Sequence, residues 1–332
     1  SAANLSTSLP DTTAPTLSSV SIASTNTINT LANPGDDLYL TFTASEAIDT
    51  PVVTFKSGGA VVTDSSVVYS NTSGNTWTAV YTVNANDTAG NVSYSIAFSD
   101  TAGNTGTAVT ATNDSSSVAV VIDTDSPTLL SSDPLDNSRS AKLDQNIVLE
   151  FSEDISAGSG QIKLFDGNDQ VVEAFSVSSS IISGSTVTLN PSSDFASRSA
   201  YYIQIPSTAF VDTAGNSFVG ILNKTALNFI TLDVNAPFLL SSVPSDNSAG
   251  IQLDQDIVLN FNEDVTAGSG QIKLLDSDDQ LVEAFTVSSS IISGSTVLLN
   301  PATDLKPDNS YYIQIPSTAF TDAAGNNYAG IN

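Results

Sequence analysis

Carboxylates are the side chains of this sequence that recur in a pattern able to do chemistry. The chain has no His and no Cys, which excludes soft-metal sites, thiol chemistry and a disulfide framework. The acids fall into three sets: Asp11, Glu46 and Asp100 with Asn104; Asp123, Asp125, Glu153, Asp154 and Asp212 with Asn216; and Asp233, Glu263, Asp264 and Asp322 with Asn235 and Asn326. In every set one acid stands in a Pro-containing linker, one follows an alternating apolar run, and one opens a D-x-AGN sequence. Carboxylates gathered in one place repel each other unless something neutralises them. Ca²⁺ suits such a set because it takes about six to eight oxygens in flexible geometry, whereas Mg²⁺ demands a stricter octahedron. D-x-AGN also closes a tight turn unaided, its Asp accepting backbone N–H groups and its Gly and Asn supplying positive φ. That accounts for AGN, but not for the Glu after the strand or the Asp in the linker.

The elements that must position these acids are strands. Runs of period two include Leu38–Ser45, Thr76–Val83, Val92–Ser99, Ile147–Ser152, Gln170–Val177 and Tyr201–Pro206, each bounded by Gly, Asn, Asp or Pro. A short helical turn is predicted at Pro206–Phe210 and again at Pro316–Phe320. One stretch occurs twice: Ser152–Asp166 returns as Asn262–Asp276, and Ala200–Asn216 returns as Ser310–Asn326. The repeating unit, about 110 residues, has the size of a small β-sandwich, and its two copies match at roughly two thirds of aligned positions.

Linkers Asp11–Leu17, Asp123–Leu130 and Asp233–Leu240 mark the boundaries, and a Pro stiffens each of them. The expected domains are 11–122, 123–232 and 233–332. The first is a different sandwich that shares only the linker, an acidic loop and AGN. Residues 1–10 align with the final strand of the second domain, Asn223–Leu232, and the third domain stops before such a strand. The chain thus reads either as a window on a longer repeat array or as a subunit whose residues 1–9 complete the third domain of a neighbour, which would propagate a filament.

Composition narrows the role. Thirty-five acids against eight Lys and Arg give a net charge of −27, which repels nucleic acid and anionic lipid. No apolar run is long enough to insert into a membrane. The absence of Met suggests a processed or excised piece. Abundant Ser, Thr, Asn, Asp and Gly with few helix formers point to a secreted or surface-displayed bacterial β protein.

The two repeats resemble the bacterial Ig-like family first described in S-layer proteins. The residues that carry the resemblance are Pro-x-Asp-Asn (Pro134–Asn137, Pro244–Asn247), VLEFSEDI and VLNFNEDV, GSGQIKL, YYIQIP and D-x-AGN-x-x-x-GI. The first domain is similar to the Ig-like repeats of large bacterial adhesins, with D-x-x-AP, TASEAI and SDTAGN. The resemblance implies an all-β chain of three tandem Ig-like β-sandwich domains in an elongated rod. It also implies that the linker, the B–C loop and the F–G loop meet at one pole of each sandwich, which brings each acidic set together. Asp87, in an extra NDTAGN of the first domain's E–F loop, would then reach the set around Asp123. Asp194 and Asp304 occupy comparable E–F positions.

Other constellations have plainer readings. Asp166–Asp169 and Asp276–Asp279 close hairpins. Lys163 and Lys273 alternate with apolar neighbours and face solvent, which argues against isopeptide chemistry. Tyr201–Tyr202 and Tyr311–Tyr312 supply core and corner tyrosines, and Trp77 belongs to a core. Glu153 beside Asp154 lacks the second convergent acid that a glycosidase needs. The expected function is structural and non-enzymatic: a calcium-stiffened segment of an adhesin, S-layer or extracellular filament protein. Its partners would be neighbouring Ig-like domains or identical subunits, with a surface glycan or protein as a further ligand. A carbohydrate-binding module is the second class.

Overall fold

The computed structural model describes residues 9–64, 66–113 and 119–332. It divides into two units. One holds the chain up to Asn137 with Asn146–Ser192 and Tyr201–Asn228; the other holds Ser138–Gln145, Ser193–Ala200 and Phe229–Asn332. The fold is all-β, as expected.

The first unit contains the first sandwich. One sheet runs in the order Leu17–Ser24, Asp37–Ala44, Thr76–Thr82, Val68–Ser73, and the other in the order Leu31–Ala32, Val121–Ile122, Gly90–Ala97, Val52–Ser57, Ala60–Val61. Strict alternation decides which side is core. Leu38, Leu40 and Phe42 are fully buried, and they join Phe55, Tyr81 and Ile96 in one apolar cluster. The alternate Thr41 and Thr43 face outward and pair hydroxyls with Thr78 and Thr76 at 3.4 and 3.1 Å. Trp77 is half-buried and packs on the edge of the cluster rather than inside it.

The same unit carries most of the second repeat. One sheet has the order Leu129–Asp133, Ile147–Phe151, Thr186–Leu189, Ile182–Ser183; facing it, Gln161–Asp166 pairs with both Val171–Ser176 and Ala200–Gln204. Ile155–Ala157 pairs with Phe210–Asp212. Phe151 sits edge-on to Phe210 and Phe218, with both centroids at 5.2 Å. The expected helical turn at Pro206–Phe210 is a single turn without helix, closed by Ala209 N–H on the Pro206 carbonyl. The short 3₁₀ turns lie instead at Ser179–Ile181 and Ser289–Ile291.

In the second unit the third repeat rebuilds this plan with Leu239–Val243, Ile257–Phe261, Thr296–Leu299, Ile292–Ser293 and, opposite, Tyr311–Gln314, Gln271–Asp276, Leu281–Thr286. One difference matters. In the second repeat Leu227 runs beside the Tyr201–Gln204 strand, accepting the N–H of Ile203, and Tyr202 is 8% exposed. In the third repeat Tyr311–Gln314 is the edge of its sheet and Tyr312 is 38% exposed. The segment that matches strand Ser138–Ala141 forms no strand there, and Ile251 and Leu253 lie open.

Candidate functional site

Each acidic set is assembled by three short loops whose local chemistry is the same. The linker Asp folds back on its own chain: Asp11, Asp123 and Asp233 accept the N–H two residues on, from Thr13, Asp125 and Asn235, at 2.9–3.0 Å. After the second long strand, the residue before the Glu clamps the linker. Ser45, Ser152 and Asn262 accept the N–H of Thr16, Thr128 and Phe238 through their side chains and return their own N–H to the same residues' carbonyls. The clamp brings Glu46, Glu153 and Glu263 to the linker Asp.

D-x-AGN supplies the third side. Gly103, Gly215 and Gly325 have φ of +95°, +98° and +93°, a left-handed turn that a side chain would strain. The turn wraps around its own Asp: Asp100 Oδ1 accepts from Ala102 and Asn104, Asp212 Oδ1 from Gly215 and Asn216, and Asp322 Oδ1 from Asn326. The Asn side chain then bridges two loops. Asn104, Asn216 and Asn326 each donate through Nδ2 to the Asp Oδ2 at 2.7–2.8 Å and to the carbonyl of the linker Asp at 3.1–3.2 Å.

The outcome is three carboxylate trios, Asp11–Glu46–Asp100, Asp123–Glu153–Asp212 and Asp233–Glu263–Asp322. Within each trio one oxygen per residue lies within 4.8 Å of the others. The electrostatics follow from crowding. Glu46 is pushed above its ordinary value by desolvation and by the charges of Asp11 and Asp100. Asp123 is pushed up by burial and by Asp212 and Asp125, and Glu153 by burial and by Asp212, Asp123 and Asp125. Donors win elsewhere. The Asn104 side chain holds Asp100 low, and the donors of Asn326 hold Asp322 low against the effect of burial.

The remaining expected residues fall in different places. Asp125 and Asn235 are exposed and contribute a backbone N–H to the linker turn. Asp154 and Asp264 are exposed and stay outside the trios; each carboxylate lies against the turn glycine, Gly184 or Gly294, of the neighbouring hairpin. Glu153 and Asp154 therefore point to different surroundings and make no acid pair. Asp87 does not reach the Asp123 trio. It is 5% exposed and spends both oxygens inside the first sandwich, accepting from Thr63 N–H and hydroxyl, the Tyr81 hydroxyl at 2.6 Å, and Asn84 N–H. Asp194 and Asp304 are exposed and do not repeat this role.

Two features escaped sequence reasoning. Asn26 of the first sandwich donates to the Ala214 carbonyl at 2.7 Å and to Asp36 at 2.8 Å, so the second repeat's AGN turn is also held from the preceding domain. Arg198 of the second repeat enters the third trio, with Nη1 3.1 Å from Glu263 and 3.6 Å from Asp233. The alignment of Arg198 with Asp308 was the available signal.

Chemically, the trios offer hard oxygen donors with no imidazole or thiolate among them. That set fits a hard divalent cation such as Ca²⁺ and no softer metal.

No curated protein matches the chain. Among solved structures, the I-band fragment I67–I69 of titin superposes with a TM-score of 0.40 at 11% identity, covering 97% of each chain. The mouse nectin-like molecule 4 ectodomain gives 0.26 at 15%, covering 67% of this chain and 66% of its own. Latent PorU from Porphyromonas gingivalis gives 0.22 at 9%, covering 94% of this chain and 34% of its own. None of these likenesses carries a role across. The sequence pattern of a bacterial Ig-like domain matches twice, over residues 123–231 and again over 233–332, and by those two repeats the chain belongs to the bacterial Ig-like domain family.

Proposed function

We propose that the chain is a structural, non-enzymatic segment of a bacterial surface or extracellular protein of the adhesin, S-layer or filament kind, and that calcium at the acidic trios stiffens the linkers between its sandwiches. The observation that carries this reading is the recurrence of one device. The first sandwich differs in sequence from the two repeats, yet all three carry an Asp, a Glu, an Asp and a bridging Asn at the same pole. Core packing does not call for that. Among the described residues no Lys or Arg pairs with the first two trios, so a cation is what their raised carboxylates lack. The partners would be neighbouring Ig-like domains or identical subunits. No helix among the described residues is long and apolar enough to cross a membrane.

The test is calorimetric. An ion bound only by the folded form stabilises it by mass action, so calcium should raise the melting temperature and chelator should lower it. Asp123→Asn should remove the response at one linker and spare the trio at Asp11. A melting curve indifferent to both calcium and chelator would sink the calcium reading.

We propose as a second reading that a strand adds beside Tyr311–Gln314, an edge strand of its sheet, whichever polypeptide supplies it. A strand added beside Tyr311–Gln314 would fill the place that Leu227 and Phe229, each 1% exposed, fill in the second repeat. Residues 1–9 of another copy are the donor expected from sequence, with Leu5, Thr7 and Leu9 at the inward positions. Leu9 is 92% exposed; residues 1–8 lie outside the described residues. A peptide of residues 1–10 should bind the chain and block polymer growth. Failure to bind, or a natural polypeptide that supplies its own strand after Asn332, would remove this reading.

A further inference from the structure

Arg198 stands out from its surroundings. The chain carries eight basic side chains against thirty-five acids, and this one is set into an acidic trio. Its backbone adopts φ +50°, a left-handed conformation rare for a long side chain. The corner is tied down on several sides. Arg198 N–H donates to the Leu232 carbonyl at 3.0 Å. The Ser197 hydroxyl donates to Asp233 Oδ1 at 3.2 Å and accepts Val234 N–H at 2.9 Å. The guanidinium is therefore presented to Asp233 and Glu263, whose side chains are only 13% and 10% exposed. The Arg198 side chain is itself 66% exposed, so any gain over an ordinary surface pair comes from the shielding of the two carboxylates and from the tied-down corner that presents the guanidinium to them.

We infer that Arg198 is a built-in counter-ion that fastens the second repeat's Ser193–Ala200 corner to the head of the third repeat, where the Asp123 trio has to rely on a free cation. The two linkers then differ in kind. The one at Asp123 stiffens and loosens with calcium, while the one at Asp233 stays fastened when calcium is withdrawn. Asp308 takes the equivalent place in the third repeat, so the device belongs to one corner and is not a property of the repeat. The contrast between linkers rests on the calcium reading of the Asp123 trio; the arginine contact itself does not.

The chain has no Cys, so pairs of exposed positions can be replaced by Cys and spin-labelled without background. One pair would flank the linker at Asp123 and another the linker at Asp233, in the full chain, in chelator and in calcium, for wild type, Arg198→Gln and Arg198→Lys. In chelator Arg198→Gln should broaden the distance distribution across Asp233, and calcium should narrow it again. Arg198→Lys should fall between, since ammonium keeps the charge but is more strongly hydrated than the planar guanidinium. The melting temperature of Arg198→Gln in chelator should drop by roughly 2–4 °C. An unchanged distribution for Arg198→Gln in chelator overturns the proposal. A broadened distribution that calcium does not restore overturns the claim that the arginine holds a cation's place. If the wild-type linker at Asp123 ignores calcium while Arg198→Gln still loosens the one at Asp233, the calcium reading falls and the arginine contact stands.

Discussion

Asn216 Nδ2 lies 2.8 Å from Asp212 Oδ2 and 3.2 Å from the carbonyl of Asp123, so one amide holds a loop of the second repeat to the linker that enters it. The same bridge recurs at Asn104 and Asn326. Asn216 is buried, and its replacement leaves an Asp oxygen and a backbone carbonyl short of a donor. Asn216→Ala should cost about 1–2 kcal/mol in denaturant unfolding. Asn216→Asp should cost more, because it places a fourth carboxylate in the trio, and calcium should recover part of that loss. A variant with wild-type stability in chelator would mean that the bridge is decorative.

Acidity should affect the poles in two opposite ways. Asp123 and Glu153 have folded pKa values raised above their ordinary 3.8 and 4.5, so they favour the folded state when protonated. That contribution is complete below the ordinary values and is lost as pH rises through the raised ones. Asp100 and Asp322 are lowered; their contribution is present above 3.8 and is lost as pH falls through their folded values. In chelator the melting temperature should therefore climb as pH falls from neutral toward about 4.5 and then decline at lower pH. Calcium should flatten the climb, since it relieves the same repulsion. A monotonic fall from neutral pH in chelator would contradict the crowding of the Asp123 trio.

Asp87 is a structural acid with a sharp signature. It accepts the Tyr81 hydroxyl, and burial together with Asp87 pushes that hydroxyl's pKa up. Asp87→Ala strands Tyr81, Thr63 and Asn84 donors in a closed site and should destabilise the first sandwich by about 3 kcal/mol. Tyr81→Phe removes one bond and should cost about 1 kcal/mol. Trp77 packs on that sandwich's core and gives a fluorescence probe of its unfolding. Neither change should alter a calcium response at Asp123, because Asp87 lies outside that trio.

The parts read well from sequence are those written in local pattern. Leu38, Leu40 and Phe42 alternate with Tyr39, Thr41 and Thr43, and period two alone fixes which side is core. Asp123, Glu153 and Asp212 recur one repeat later, and the resemblance to Ig-like sandwiches implied that their loops meet at one pole, where the three carboxylates do converge. What escaped depends on neighbours distant in sequence. NDTAGN at Asp87 contains a full D-x-AGN, but its acid turns inward because Tyr81, on the adjoining strand, offers a buried hydroxyl. Asp154 follows Glu153 directly, yet chain geometry sends it toward Gly184. Arg198 differs from its counterpart Asp308, and only the folded corner places it beside Glu263.

Ile203 and Ile313 occupy the same position in two copies of one sandwich, but their surroundings differ. Ile203 is 1% exposed and its N–H meets the Leu227 carbonyl; Ile313 is half-buried on an edge strand. Ile203→Ala should cost about 2–4 kcal/mol, as a filled core position does, and Ile313→Ala distinctly less. A strand seated beside Tyr311–Gln314 should erase the difference. The peptide Asn223–Leu232 brings Leu227, Phe229 and Thr231 to the inward positions, whereas Ser1–Pro10 brings Leu5, Thr7 and Leu9; the larger apolar area of Phe over Leu means that the first should bind somewhat more tightly. Binding of either should protect the Tyr311–Gln314 amides from hydrogen exchange and restore the full cost of Ile313→Ala. If Ile313→Ala already costs as much as Ile203→Ala in the isolated chain, the edge is not an open seat and the strand-addition reading loses its support.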